Sequence, residues 1–455
     1  MEDQETPKPP PNSLNAESGW NFTTRLNPDE TSYRKEIRII SCVFIGLLLW
    51  PCLRSFSTHN DLHIFFAAAQ RMVSGENLYT QPYPTEGWSL YYYYSPLFAS
   101  FLVPFTLLPQ TEILENIPLG IAVLKLFWIL LNGYIIFDLL QIFSGMLALP
   151  RHKKTVLFWW IMLAISFRWL FLNILAGQMT IFIVWGSLRV FQAPSKSPIS
   201  RLWALALGIN TKILSVFILG QLFLMRWWKG FLLAVLLSAV LLCIPYLYLP
   251  TAYHTELIQG WMANINPFSK SHIVEVGEGG FIDMGAIIAK YLTGIDVPGE
   301  SRIGWGLISD RGVFILTQCF RILVLCSCWI WLLAIKKSNV TNKNMLITSV
   351  FLASIPLAFP HQRDYSLFMV WPMMALIVHA WFYDTLSLPV YLKCSLLLAG
   401  ILLGNLVFFE ALSEPIRLFV GGNRIQGIGA LLLWVCMHIF LYLRLQQKIQ
   451  MPSSP

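Results

Sequence analysis

Asp61 stands between His59 and His63, at the head of a stretch that runs through Arg71 to Gly75 and Tyr79. The stretch reads as a short amphipathic helix beginning near Asn60 or Asp61 and ended by Gly75, with an extended piece starting at Tyr79. A carboxylate at a helix start commonly caps the backbone. At a water-lipid boundary it has a second use, because it can take a proton from a substrate hydroxyl as a general base. His59, Asp61 and His63 also have ligand types suited to a divalent ion, but alternate spacing suits a strand better than a helix. No zinc spacing is present, and no metal or other cofactor is assigned.

Five other places hold residues able to do chemistry. Lys212 lies inside an apolar run, 201–226, where a cation is costly unless it snorkels, pairs or works; as a working residue it would bind a phosphate. His361 and Arg363 share a polar turn with Asp364, so Arg363 either pairs with its neighbour or binds phosphate. Gln178 follows Gly177; it either hydrogen-bonds sugar hydroxyls or satisfies backbone groups at a helix break. Tyr94 closes the run Tyr91 to Tyr94, which reads as an interfacial aromatic belt or a substrate wall. Asp283 and Glu278 lie in the polar stretch 251–310 beside Trp261 and Trp305, where carboxylates next to aromatics suit a sugar-bearing acceptor as well as membrane anchoring.

The elements that must position these residues are membrane helices. Charged residues make up 12% of the chain and hydrophobic residues 56%, which excludes an ordinary globular protein and a disordered chain. Apolar runs long enough to cross a ~30 Å hydrocarbon layer recur throughout. The first, 37–56, follows Arg34 and Lys35 and has no cleavage-site pattern, so it reads as a span with its N-terminus inside. Residues 1–34 form a tail, in which Asn21 to Thr23 fits the glycosylation pattern but faces the cytoplasm; 35–450 is the membrane domain and 451–455 a short end. Runs follow at 94–109, 118–143, 155–171, 177–192, 201–226, 229–250, 311–335, 344–359, 365–384, 390–410 and 428–446. The expected fold is therefore all-α and polytopic, with about twelve spans.

Basic clusters at Arg226 to Lys229, Lys336 to Lys343 and Arg444 to Lys448 mark the cytoplasmic side, which leaves 57–93, 251–310 and 360–364 together on the opposite face. Twelve full crossings would put Arg151 to Lys154 outside, against that rule; an incomplete 94–109 segment, carrying Pro96, Pro104 and Pro109, would put it inside. The net charge of +8 reports orientation, since no basic and aromatic interleaving of the nucleic-acid type is present. The eight cysteines nearly all lie in apolar runs and read as small hydrophobes.

Several motifs occur in a particular order. Asp61 is followed by Ala67 to Ala69, Gly75-Glu-Asn-Leu-Tyr79, Tyr94-Ser-Pro-Leu-Phe98, and Val103-Pro104 through Leu108-Pro109. Then come Asn173 to Thr180 with its Gly177-Gln178 pair, Ala206 to Lys212, and Phe359-Pro-His-Gln-Arg-Asp-Tyr365. From about 37 to 385 this order resembles glycosyltransferase family 87, the polytopic polyprenyl-phosphate-mannose-dependent alpha-1,2-mannosyltransferases of the GT-C superfamily. The chain departs from the family where Thr211-Lys212-Ile213 lacks a proline, and in the wording around His361.

The resemblance implies a GT-C-like fold with external juxtamembrane helices in the first loop, and a hexosyl transfer, of mannose, from a polyprenyl-phosphate donor. The acceptor would be a glycolipid, glycan or protein on the outer face, with inversion at the anomeric carbon. It makes Asp61 the catalytic base. Lys212, Arg363 and His361 would hold the donor phosphate, and Gln178, Tyr94 and Asp283 the substrate. Partners would be the donor, the acceptor and membrane lipids, with no nucleic acid. Apart from the resemblance, the lack of an obvious retention signal gives a bacterial cytoplasmic membrane as the expected compartment, with the site facing out. A lipid or solute transporter of similar topology is the competing expectation, against which stand the unequal external segments and the lack of an internal repeat.

Overall fold

The computed structural model describes residues 28–85, 88–109, 111–114, 117–150, 152–192, 198–266, 281–293, 305–340, 342–383, 388–404 and 413–450. Asn21, Glu278 and Glu410 lie outside them. The described chain is overwhelmingly helical. In order it forms α1 (Pro28–Ser57), α2 (Asp61–Val73), β1 (Tyr83–Thr85), β2 (Trp88–Leu90), α3 (Pro96–Thr106), β3 (Glu112–Leu114), β4 (Ile117–Pro118), α4 (Leu119–Leu147) and α5 (Lys153–Ala176). There follow α6 (Thr180–Arg189), α7 (Pro198–Thr211), α8 (Val216–Leu224), α9 (Trp228–Cys243), α10 (Thr251–Asn264) and α11 (Met284–Leu292). The last are α12 (Asp310–Lys337), α13 (Lys343–Ala358), α14 (Trp371–Tyr383), α15 (Val390–Leu402), α16 (Glu414–Gly422) and α17 (Ile425–Gln450). β1 with β2, and β3 with β4, make two small antiparallel hairpins.

Among the described residues, seven helices are long and apolar enough to cross a bilayer. They are Lys35–Ser57 of α1, α4, α5, Trp228–Leu247, α12, Asp364–Tyr383 and Ile425–Gln446 of α17. The chain is a multi-pass membrane protein. Their lipid-ready surface is visible in the exposed Leu53, Leu130, Phe137, Leu236, Ile322 and Ile330, which on a water-soluble molecule would be a liability. α1 begins at Pro28, where proline suits the first turn of a helix.

One end of the bundle gathers the basic residues. Lys336 Nζ donates to Met225 O at 3.2 Å, Lys343 Nζ donates to Lys336 O at 3.1 Å, and the Arg201 guanidinium lies 5.8 Å from the Trp227 ring centre. The Thr155 and Tyr383 hydroxyls meet at 2.7 Å near the start of α5 and the end of α14. Lys153 and Lys154, at the start of α5, are there too.

Two runs do not form one through-going helix at the other end. The run 94–109, whose crossing the sequence leaves open, forms no helix long and apolar enough to cross a bilayer. Both ends of α3 lie at this end of the bundle: it begins where the Ser95 hydroxyl donates to Asn210 O and ends with the Phe105 carbonyl against Gly120 at the start of α4. That start is level with the end of α1, since Lys125 Nζ donates to Phe56 O and to Thr58 O, both at 3.0 Å. α4 therefore returns to the basic end, and Lys153 and Lys154 fall on the side that the positive-inside rule demands.

The run 201–226 does not cross once. It folds back at Lys212, which takes an extended conformation (φ −137°, ψ 118°) between α7 and a short 3-10 turn, Ile213–Ser215, that opens α8. The small residues permit this hairpin: a Cβ on Gly208 would meet Ser215 Oγ at 2.8 Å, and Gly186 of α6 lies as closely against the Ala204 carbonyl of α7.

Candidate functional site

The residues singled out from the sequence come together at the end opposite the basic loops. A cavity of about 940 Å³ there is lined by residues that include Asp61, Tyr94, Gln178, Lys212, His361 and Arg363. That volume suits a small-molecule site. Asp283, the seventh, does not line it; its carboxylate caps α11 by accepting from the Ala286 amide at 3.2 Å. Burial pushes its pKa up to about 6, against that hydrogen bond and the charges of His361, Arg321 and Arg424.

Asp61 reaches the cavity because its neighbour does the capping. Asn60 is the N-cap of α2, accepting from the Leu62 amide, and its Nδ2 donates to Ser55 Oγ at 2.9 Å and to Leu175 O at 3.0 Å. The His63 Nδ1 returns to the Asn60 backbone and completes a capping box. Such a cap is worth ~1 kcal/mol, and it leaves the Asp61 carboxylate uncommitted to the backbone. The Gln178 Nε2 donates to that carboxylate instead, and the Tyr94 hydroxyl donates to Gln178 Oε1 at 3.2 Å.

Gln178 is placed there by the end of α5. Gly177 closes the helix in the left-handed region (φ 70°), and a Cβ at that position would lie 2.7 Å from Leu62 Cγ. Only glycine allows both the turn and the contact with α2. The next residue, 2% exposed, is then pressed against the carboxylate.

Desolvation in the cavity raises the Asp61 pKa to about 6; the charges of Arg363 and Lys212 and the Gln178 hydrogen bond oppose the shift without cancelling it. A carboxylate so poised is ionised at neutral pH and a stronger base than an exposed one. His63 goes the other way, to about 3, because burial, Lys125 and His59 all disfavour its cation. It is a neutral ring stacked 3.9 Å from His59. Among the described residues no three His, Cys, Asp or Glu side chains converge as a metal set.

The cations are held by aromatics and backbone. Lys212 Nζ lies 5.9 Å from the Tyr94 ring centre and 5.5 Å from that of Tyr365. The Arg363 guanidinium lies 5.5 Å from the Phe281 ring centre, and the two residues form an isolated antiparallel bridge. Asp364 pairs with the buried Arg168 of α5 at 2.9 Å, so it is drawn away from the neighbour that the sequence offered it. Asn173 Nδ2 fixes the same turn by donating to Tyr365 O at 2.8 Å. His361 sits in the left-handed region (φ 57°) with its ring stacked 4.8 Å from Tyr93. Away from the cavity, Asp138 accepts from Trp185 Nε1 at 2.6 Å and pairs with Arg189.

Arg54, Asn264 and Gln362 also line the cavity and were not singled out from the sequence. Arg54 had a visible signal, a cation at the outer end of the first span, against the positive-inside trend. The amides had none. A second cavity, of about 440 Å³, lies between α1, α4, α5 and α14 and is almost wholly apolar, with Ile40, Phe44, Leu139 and Trp371 in its wall. Its inner residues Leu170 and Phe368 are within a turn of Leu172 and Tyr365 in the larger cavity.

The geometry thus offers a desolvated carboxylate, two cations and a largely apolar recess between α1, α4, α5 and α14. Comparison with known proteins finds no matching family model, no matching curated protein and no matching solved structure.

Proposed function

We propose that the chain is a membrane glycosyltransferase that moves a hexose, mannose, from a polyprenyl-phosphate donor to a hydroxyl acceptor, in the manner of the GT-C enzymes its motif order resembles. The observation that carries this reading is the desolvated Asp61 carboxylate, held by Gln178 in a cavity that also contains Lys212 and Arg363. In the step, the acceptor oxygen attacks the anomeric carbon and the bond from that carbon to the phosphate oxygen breaks. The hydroxyl proton passes to Asp61, and the departing polyprenyl phosphate keeps the electron pair beside Lys212 and Arg363. One displacement inverts the anomeric centre. Gln178 and Tyr94 hold the base; His361 adds a donor near the phosphate.

On this reading the seven long helices cross together with the shorter α6, α7, α8, α13 and α15, giving twelve passes with the basic end in the cytoplasm and the cavity facing out. A bacterial cytoplasmic membrane fits that placement. The apolar recess receives hydrocarbon from the donor, which keeps the reacting phosphate at the cavity floor. Purified protein in lipid, given polyprenyl-phosphate mannose carrying a labelled sugar, is expected to release polyprenyl phosphate only when an acceptor is added. Movement of intact donor across the bilayer without release would instead favour a flippase.

A further inference from the structure

The basic end of the bundle carries charge of one sign. Between Asp138 and Glu256, and again between Asp310 and Asp364, the sequence holds no acidic residue. The turn from α8 to α9 and the turn from α12 to α13 therefore present cations with no counter-charge of their own. Arg226 and Lys229 stand exposed on the first turn, and among the described residues neither side chain has a hydrogen-bond or ion-pair partner. Lys336, at the end of α12, joins them, since its Nζ lies 3.2 Å from Met225 O. Arg226 occupies the left-handed region (φ 61°), its amide donating to Phe223 O at 2.9 Å and the Trp227 amide to Leu222 O at 3.1 Å. Glycine is the residue that closes a helix in this way without strain. Here the strained position sets a cation at the tip of the turn.

The same turn continues into a stripe that faces lipid. Trp228, Leu232, Leu236 and Val240 recur at every fourth position of α9, on one face of the helix, and all are exposed. α12 repeats the arrangement, with exposed Trp329, Ile330 and Leu333 leading to Lys336. Trp228 meets Phe223 edge-on, ring centres 4.7 Å apart, in the place that aromatic side chains take between hydrocarbon and headgroups. Charge alone would suit any soluble anion. Cations at the foot of two apolar, lipid-facing stripes suit an anion that brings its own hydrocarbon, and an acidic peptide would leave those stripes unused.

We propose that the turn between α8 and α9, with the end of α12, is a binding site for an anionic phospholipid, its phosphate held by Arg226, Lys229 and Lys336 and its acyl chains lying along Trp228, Leu232 and Leu236. The site is separate from the cavity that holds Asp61, and it stands whether or not the chain transfers sugar. The headgroup offsets the repulsion among three like charges and ties α12 to the end of α8. α8 is the second arm of the hairpin that turns at Lys212, so the lipid braces that hairpin from the opposite end.

The test measures retained lipid, not turnover. The full chain, taken from mixed phosphatidylcholine and phosphatidylglycerol into detergent and weighed by native mass spectrometry, is expected to keep phosphatidylglycerol in preference, and less of it as salt is added to the wash. Lys229→Gln and Lys336→Gln should each lower that occupancy ~5-fold, the effect of one basic side chain near an anionic surface. Arg226→Gly suits the left-handed turn, so the melting temperature in phosphatidylcholine should hold or rise while the preference for phosphatidylglycerol falls; a purely structural Arg226 would leave the preference unchanged. Lys154→Gln removes a cation from another part of the same end and should change neither. Equal retention of the two lipids by wild type, an unchanged preference in Arg226→Gly, or an equal loss in Lys154→Gln overturns the site. Displacement of the lipid by glycerol 3-phosphate at matched concentration would overturn it too, by showing that the ligand is a free phosphate ester.

Discussion

Gln178 Nε2 donates to the Asp61 carboxylate across the junction of α5 and α2, joining residues far apart in the chain. The interaction has two effects. It orients the carboxylate toward Lys212 and Arg363, and it stabilises the ionised form against the desolvation that the cavity imposes. A base in that balance is ionised at neutral pH yet keeps enough proton affinity to accept from a hydroxyl.

The balance sets a pH dependence. On the proposed mechanism transfer needs ionised Asp61, so the rate at limiting substrate should fall about tenfold per pH unit below the carboxyl's pKa of about 6. Gln178→Ala removes an interaction that lowers this pKa, and the limb should move up. Asp283→Asn should leave the limb in place although that carboxyl is pushed into the same range, because it stands outside the cavity. A limb near 4, or one that disappears in Asp283→Asn, contradicts the assignment.

The cations should act on the departing phosphate. Lys212→Met and Arg363→Gln are each expected to lower kcat/KM for the donor by ~10- to 1,000-fold while melting temperature changes little. Arg363→Lys should recover only part of the loss, since the fork is gone and the charge kept. Equal loss toward donors with intrinsically better leaving groups would argue that these residues hold the fold and not the phosphate.

Gly177 joins packing to chemistry. Gly177→Ala forces a left-handed alanine into Leu62, and should destabilise the protein by ~1–3 kcal/mol and displace Gln178. Gly133→Ala, in open space on α4, should change thermal stability little. Similar melting shifts for the two substitutions would show that the α5 and α2 junction is looser than described.

The path of the chain can be checked by labelling. In a cysteine-free background, Lys153→Cys and Lys229→Cys should react with an impermeant maleimide from the same side of sealed vesicles, and Thr251→Cys from the other. Lys153→Cys labelling alongside Thr251→Cys would mean that 94–109 crosses after all.

Much of this site is legible in the sequence. The α2 start, its Gly75 end and the α11 segment follow from capping residues and apolar periodicity, which are local. Asp61, Gln178, Lys212 and Arg363 are conspicuous because each is polar beside apolar runs, where polarity is costly. Their convergence depends on packing between distant helices, and so do the Arg168 to Asp364 pair and the places of Asn264 and Gln362. The errors have the same cause. Hydropathy records how apolar 94–109 and 201–226 are, not where the chain turns. It therefore leaves the crossing of 94–109 open and reads the α7 to α8 hairpin as one span. Asp283 is conspicuous for its sequence neighbours, whereas its carboxylate serves α11.

The most direct test of the central claim compares wild type with Asp61→Asn in lipid, with labelled polyprenyl-phosphate mannose and a glycoside acceptor. Wild type should transfer the label and release polyprenyl phosphate; Asp61→Asn, with a near-identical shape, should insert and melt normally and turn over at least ~100-fold more slowly. Normal turnover by Asp61→Asn would contradict the assignment of the base and, with it, the mechanism built around this cavity.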